Sequence, residues 1–194
     1  MLASIHPLGE RARDRRWGGT VGAYVAGSAA AATGLGAGLG GLGAALALSS
    51  GVTAALVLGA GALALAADVG AVPLPTIHRQ VDKDWLDRYR GWVVGAGFGL
   101  QLGLGVVTVV NTAAVYLALA LALLTGSVAA GAVVGLTFGL VRALVILAVA
   151  PVRRPDQLRS ALRRVAGWRS RSHHAGIAVQ AGLLVAAGAV AIAH

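Results

Sequence analysis

The sequence predicts an all-α protein, a polytopic bundle of transmembrane helices, and three observations lead to this fold class. The chain of 194 residues is 57% hydrophobic and only 12% charged, with a mean hydropathy of +0.79, whereas an ordinary soluble domain is roughly 25% charged. Its apolar residues form five long blocks that are almost free of charge. The blocks are continuously apolar, whereas barrel strands alternate apolar and polar residues, so we expect helices.

The five blocks predict five crossings, because about 20 apolar residues span the hydrocarbon core. We expect a cytoplasmic segment at 1–17 and a single transmembrane domain at 18–194, with helices at about 18–48, 51–70, 91–124, 128–150 and 174–193. Two blocks exceed one bilayer thickness and contain glycine-rich stretches, at 34–38 and 103–105. A break, a tilt or a re-entrant bend would fit there. Six crossings are the alternative, if one of these blocks is split.

The positions of the basic residues predict the topology. Fifteen of the 16 lysine and arginine residues lie in three clusters, at 11–16, 79–90 and 153–171. Basic loops remain cytoplasmic, so we expect a multi-pass protein with its N-terminus in the cytoplasm. The high alanine, glycine and arginine content with a single lysine suggests a GC-rich bacterial genome, which favours the cytoplasmic (inner) membrane of a bacterium. The uncharged connections at 49–50 and 125–127 become the outside turns. The net charge of +9 then reflects this topology, and nucleic acid is not an expected partner.

A short amphipathic interfacial helix is predicted at about 155–167, before the last crossing. Apolar residues recur there at helical spacing opposite Arg159, Arg163 and Arg164. We expect this helix to lie on the inner leaflet of the lipid bilayer, with its arginines on the headgroups of anionic phospholipids. Docking onto an acidic surface of a partner protein is the alternative.

Two predicted helices carry glycine at every fourth residue. Such a face lets helix backbones approach closely, so we expect packing seams within the bundle. An interface that slides or opens is the alternative. The residues concerned are Gly95, Gly99 and Gly103 in the third block and Gly131, Gly135 and Gly139 in the fourth.

Polar residues inside the apolar blocks are the candidates for function. Arg142 lies deep in the fourth block, where a lone guanidinium costs at least about 2.5 kcal/mol on insertion scales. It therefore needs a polar partner such as Asp68, an anionic ligand, or a path by which it snorkels to the inner surface. The polar groups of the third block predict either a cavity lined by broken helices or bonds between helices. The candidates for a substrate pathway are Arg142, Gln101, Asn111, Thr108, Tyr116 and Asp68.

Several kinds of chemistry are not expected. The chain has no cysteine, which excludes disulfides, thiolate metal sites and a dithiol relay within the chain. The adjacent histidines His173 and His174 would diverge on a helix, so we expect no metal site and no cofactor. The sequence shows no carboxylate pair inside a helix and no set of residues that could form a hydrolytic triad. We therefore expect that the protein is not an enzyme.

Three short sequence segments in the third and fourth blocks resemble those of a known family. They lie at 97–105, 123–127 and 139–144. The stretch 91–147 resembles the membrane domain of the DsbD/CcdA family, within the wider LysE-type exporter superfamily. That resemblance implies an inverted three-helix repeat and paired cysteines that carry reducing equivalents. The residues after Thr108 are two valines, so the redox chemistry does not carry over, and the repeat conflicts with the helix count above.

The sequence predicts a small-solute transporter or exporter, with a pathway between glycine-rich helices near Gln101, Asn111 and Arg142. The alternative is a non-catalytic membrane subunit or anchor of a larger membrane complex. In that case Arg142, the glycine faces and the basic helix would contact another membrane protein or a second copy of the chain.

Overall fold

A computed structural model describes residues 6–73, 89–105 and 112–193 of the chain. Within these three ranges the regular structure is entirely helical, which confirms the all-α class for this part of the protein. The elements are α1 (Pro7–Ala12), α2 (Trp17–Leu46), α3 (Ser50–Asp68), α4 (Gly91–Gly103), α5 (Ala114–Leu124), α6 (Val128–Leu144), a 3₁₀ helix (Val145–Val149) and α7 (Pro155–Ala193).

Three stretches of the described chain are long and apolar enough to cross a membrane. They are Trp17–Leu46, Ser50–Asp68 and Val128–Val149. The first and third each exceed 20 residues, and the second has 19, against about 20 needed for the hydrocarbon core. A bundle of membrane helices therefore fits the structure, whereas the count of five crossings stays a prediction.

The two short turns that the sequence placed outside are closed by local contacts. The Ser49 side chain accepts a hydrogen bond from the N–H of Val52, at 3.4 Å, and so caps α3. Ser127 caps α6 in the same way through the N–H of Ala130. Capping serines satisfy N–H groups that a helix start leaves unpaired, which explains why α3 and α6 begin at these residues.

Helix α2 lies between α4 and α6 and packs most extensively against both. Along α6, a Cβ atom added to Gly131 or Gly135 would collide with the backbone carbonyl of Gly36 or Ala32. Along α4, a Cβ atom added to Gly99 would collide with the backbone carbonyl of Tyr24. We call these two contacts of α2 the glycine seams. Their glycines allow backbone to touch backbone directly.

The remaining glycines that the sequence singled out lie in the same seams. An added Cβ atom at Gly95 or Gly103 would meet the backbone carbonyl of Thr20 or Ser28 on α2. At Gly139 an added Cβ atom would lie 2.7 Å from both the Cβ atom of Ala32 and the carbonyl oxygen of Ser28. All six glycines therefore face α2 closely.

A cluster of buried side chains closes one end of the bundle. It joins α2, α4 and the end of α6 to the first turns of α7, whose Leu158 and Ala161 pack against it. The N-terminal helix α1 is attached to the same end by Glu10, which is fully buried and accepts a 2.5 Å hydrogen bond from the hydroxyl of Thr20. The buried members are Val21, Tyr24, Val94, Phe98, Ala143, Ile146, Val149 and Val152.

Two predicted segments differ from the structure. The described part of the block at 91–124 contains two helices, α4 and α5, and the chain leaves the helical path at Gly105, where φ is +74°. The interfacial helix at 155–167 and the last crossing at 174–193 form one continuous helix, α7, of 39 residues and about 58 Å. No proline separates them, and a lone glycine such as Gly167 costs a helix only about 1 kcal/mol. The loop around the basic cluster at 79–90 falls mostly outside the described residues.

Candidate functional site

The interruption between α4 and α5 is the irregular feature around which polar groups gather. Helix α4 ends at Gly103, and the N–H of Gly105 bonds to the carbonyl oxygen of Leu102 at 3.1 Å. Gly105 has a left-handed backbone, which glycine adopts without strain. The ring of Phe138 lies so close that a Cβ atom at Gly105 would come within 3.3 Å of it. A side chain at this position would therefore meet both strain and crowding.

Arg142 lies at the end of α4. Its Nη1 donates a long hydrogen bond of 3.4 Å to the carbonyl oxygen of Gly105, and its guanidinium lies 5.2 Å from the centroid of the Phe138 ring. The last carbonyls of a helix carry partial negative charge. The arginine therefore supplies a positive charge where α4 presents the negative end of its dipole.

Asp68 lies at the start of α5. It is the last residue of α3 and is only 7% exposed. Its Oδ1 accepts a bond of 2.6 Å from the N–H of Ala113, and its Oδ2 accepts bonds of 2.7 Å from the Thr112 hydroxyl and 2.8 Å from Nε2 of Gln180. The first N–H groups of a helix carry partial positive charge. The carboxylate therefore caps α5 from a different helix and joins α3, α5 and α7.

Asp68 and Arg142 do not pair with each other. Within the described residues, the hydrogen-bond partners of Asp68 are Thr112, Ala113 and Gln180, so the direct pair with Arg142 that the sequence left open is not formed. Each charge meets one end of the interrupted helix instead. The physical reason is that the interruption exposes two sets of unpaired backbone groups, and each set attracts the charge of opposite sign.

The other sequence candidates lie along the same interrupted helix. Gln101 is half-buried in α4, one turn before the break, and Tyr116 is half-buried in the first turn of α5. Tyr116 also lines an apolar cavity of about 250 Å³ between α3 and α5. Thr108 and Asn111 lie outside the described residues.

Gln180 is a member of the site that the sequence analysis missed. It lies on α7 and is 5% exposed. Its Oε1 is buried and has no hydrogen-bond partner among the described residues. The available signal was its position, since it is the sole residue with a side-chain amide in the apolar block at 176–193. Inside a membrane such a residue marks a bond between helices.

An open cleft of about 890 Å³ lies next to the start of α5. Thr112 lines this cleft, and the same side chain bonds to Asp68 and accepts a 3.3 Å bond from the N–H of Ala114. Ser170, Ser172 and His173 of α7 supply the other polar groups of the lining. Arg159, Arg163 and Arg164, the predicted headgroup ligands, are exposed on the first half of α7.

Comparison with known proteins gives a consistent set of relatives. The chain is 35% identical over 142 residues to methylamine utilization protein MauF of Paracoccus denitrificans, which covers 72% of this chain and 49% of the relative. It is 35% identical over 173 residues to MauF of Paracoccus versutus, covering 89% and 59%. A third MauF, from Methylophilus methylotrophus, is 33% identical over 122 residues. No family model matches the chain, and no solved structure matches it.

These relatives correct the family resemblance drawn from short sequence segments. The resemblance to the DsbD/CcdA family and the LysE-type exporters is wrong, because the relatives are all named MauF. The segments at 97–105, 123–127 and 139–144 consist largely of glycine and leucine, which recur in many apolar helices that pack closely. The chain spans about half the length of the curated relatives it matches, and over most of its own length it is similar to proteins named methylamine utilization protein MauF.

Proposed function

We propose that this chain is a membrane-embedded, non-catalytic accessory component of bacterial methylamine utilization, which acts beside another protein. The observation that carries the proposal is the similarity to two MauF proteins over 72% and 89% of the chain. The names of these relatives refer to methylamine utilization and not to transport. They therefore favour the subunit alternative of the sequence analysis over the transporter.

The helices support the membrane location. In the proposed topology α2, α3 and α6 each cross the cytoplasmic membrane, α4 and α5 together form one interrupted crossing, and the second half of α7 forms the fifth. The basic segments at 11–16 and 153–171 then face the cytoplasm, as the positive-inside rule requires.

The packing around the interruption supports a structural role better than a solute pathway. Where α2, α4, α5 and α6 meet, the described residues enclose a cavity of about 10 Å³, which is at the lower limit for a single water molecule. The open cleft of about 890 Å³ lies outside this junction, between the start of α5 and α7. The buried Asp68 and the half-buried Arg142 both contact helix ends. A pathway along the glycine seams would have to separate backbones that touch, so we assign the seams to packing.

A growth experiment tests the proposal directly. The gene for the chain is deleted in its own bacterium, and growth is measured with methylamine and then with ammonium as the sole nitrogen source. We expect growth on methylamine to be lost and growth on ammonium to be retained. A plasmid copy of the gene should restore growth. Unchanged growth on methylamine would overturn the proposal.

The subunit character needs a separate measurement. Native mass spectrometry of the tagged protein, extracted from membranes of methylamine-grown cells, should show a second protein in fixed stoichiometry. If the growth defect is real but the chain is extracted only as a monomer that carries no protein partner, the accessory role in a complex is excluded. A solute-flux assay on the same strain would then be decisive.

A further inference from the structure

A second cleft lies at the first turns of α7, just before the part of that helix that lines the cleft beside α5. It has a volume of about 420 Å³ and lies between the 3₁₀ helix that follows α6 and the first turns of α7. One wall is apolar and the other is polar and basic. The walls include Leu147, Pro151 and Val152 on the first side and Gln157, Arg164 and Trp168 on the second.

The polar wall is fixed by local bonds. Oε1 of Gln157 accepts hydrogen bonds from the N–H groups of Arg153 and Arg154, at 2.7 and 3.2 Å. These bonds hold the start of α7 against the chain that leaves α6. The arginine of the wall, Arg164, lies two turns further along the helix and is exposed.

The apolar wall continues along α6 as an exposed surface. Val141, Leu144 and Val145 recur at helical spacing above the cleft and are 62%, 49% and 52% exposed, and Leu147 in the cleft itself is 46% exposed. The basic cleft is therefore next to an apolar surface. A phospholipid has the matching arrangement, a charged phosphate attached to apolar acyl chains.

The charge around the cleft selects an anion. From 153 to 171 the chain carries seven arginines and a single acidic residue, Asp156. Basic residues near a membrane surface attract anionic lipids by about 1 kcal/mol each. Trp168, which is 54% exposed at the cleft, is the residue type that favours the level of the headgroups.

We propose that this cleft binds one anionic phospholipid. The guanidinium of Arg164 holds the phosphate, Trp168 lies at the headgroup, and one acyl chain runs past Leu147 of the 3₁₀ helix and then past Leu144 at the end of α6. The site goes beyond the proposed role in methylamine utilization and does not depend on it. It also differs from a uniformly basic helix, because one arginine of several carries the binding.

Native mass spectrometry of the full chain in detergent tests the site, with dioleoyl phosphatidylglycerol and dioleoyl phosphatidylcholine as probes. We expect phosphatidylglycerol to be retained in preference to phosphatidylcholine. Arg164→Gln should weaken its binding about fivefold, the equivalent of about 1 kcal/mol. The matched control is Arg163→Gln, which removes the same charge from the neighbouring, exposed residue outside the cleft and should leave binding within about twofold of wild type.

A fluorescence measurement locates the lipid independently. Phosphatidylglycerol with brominated acyl chains should quench the tryptophan emission of the wild type more than that of Trp168→Phe. Equal weakening by the two arginine variants, or equal retention of the two lipids, would overturn the site in favour of diffuse attraction. If the protein retained no lipid and instead bound an acidic protein through these arginines, the result would overturn the lipid site in favour of protein docking.

Discussion

The glycine seams and the helix interruption hold helices together in different ways. At the seams, backbone touches backbone through glycine, and Ser28 is a rare polar side chain there, with its hydroxyl bonded to the carbonyl oxygen of Gly139 at 2.9 Å. At the interruption, the Asp68 carboxylate bonds to the start of α5, and the Arg142 guanidinium bonds to the chain at the end of α4. The first region depends on the absence of side chains, and the second depends on particular ones.

This difference follows from the properties of a bilayer as a solvent. Lipid tails are as apolar as leucine, so apolar side chains gain little by leaving them, and helices associate through close packing or hydrogen bonds. The seams use close packing, and the interruption uses hydrogen bonds. We therefore expect the seams to be damaged by added volume and the interruption to be damaged by the removal of a charge.

The largest effect is expected from added volume in a seam. Gly36→Leu places a side chain where even a Cβ atom would collide with the carbonyl oxygen of Gly131. Because backbone cannot move aside as a side chain can, we expect the free energy of unfolding to fall by at least about 4 kcal/mol, a large fraction of the stability of a typical domain. Thermal unfolding of the purified protein in detergent measures it.

Gly38 provides the matched control on the same helix, two residues further along. A Cβ atom there would meet nothing within 4 Å. Gly38→Leu should therefore be neutral or should stabilise by up to about 1 kcal/mol, because leucine favours a helix over glycine. Similar damage from both substitutions would show that α2 is not confined by its neighbours in the way described.

The next effect is expected at the acidic end of the interruption. Asp68→Ala leaves the Thr112 hydroxyl, the Ala113 N–H and the Gln180 amide without their acceptor. Buried donors that lose a charged acceptor cost about 1.5–3 kcal/mol, so we expect a loss of about 3 kcal/mol in the free energy of unfolding. Thr112→Val, which removes one donor only, should cost about 1 kcal/mol. Equal losses from both variants would contradict the carboxylate as the centre of the cluster.

Much of the fold could be predicted from the sequence, because apolar blocks and capping serines are local signals. The glycine-rich stretch at 103–105 predicted a break, a tilt or a re-entrant bend in the third block, and α4 does end there. The same pattern at 34–38 lies inside the continuous helix α2. The continuity of α7 could not be predicted, since its first half is amphipathic and its second half apolar, and this change of pattern is typical of two helices. Backbone hydrogen bonds continue regardless of the change.

The charges of the site were recognisable, whereas their partners were not. Arg142 and Asp68 stood out because charges are rare in apolar blocks. Their contacts depend on the register between helices and on the two helix ends at the break. Neither feature can be predicted from a short stretch of sequence. Gln180 was overlooked because a single amide near the end of a chain resembles a surface residue.

A smaller effect is expected at the basic end of the interruption. Arg142→Met removes the bond to the Gly105 carbonyl and the contact with the Phe138 ring. The bond is long and the arginine is only half-buried, so we expect a local change of about 1 kcal/mol. Hydrogen exchange should be about fivefold faster in the last turn of α4. Exposed Val141→Met is the control, and an equal change in exchange would contradict the cap.

The smallest effect on the free energy of unfolding is expected at Gln180. There the bonded Nε2 and the buried Oε1 of the same amide contribute with opposite signs. Gln180→Leu removes the Nε2 bond to Asp68, but it also removes the buried Oε1 that has no partner among the described residues. The lost bond and the relieved desolvation have opposite signs and similar size, so we expect a net change within about 1 kcal/mol. Because the leucine side chain still fills the space beside α3, the packing term changes little. In the Asp68→Ala background the same substitution should become stabilising, since it also removes an amide donor that has lost its acceptor. A large loss from Gln180→Leu in the wild type would mean that Oε1 has a partner, and the bond to Asp68 would no longer account for the position of α7.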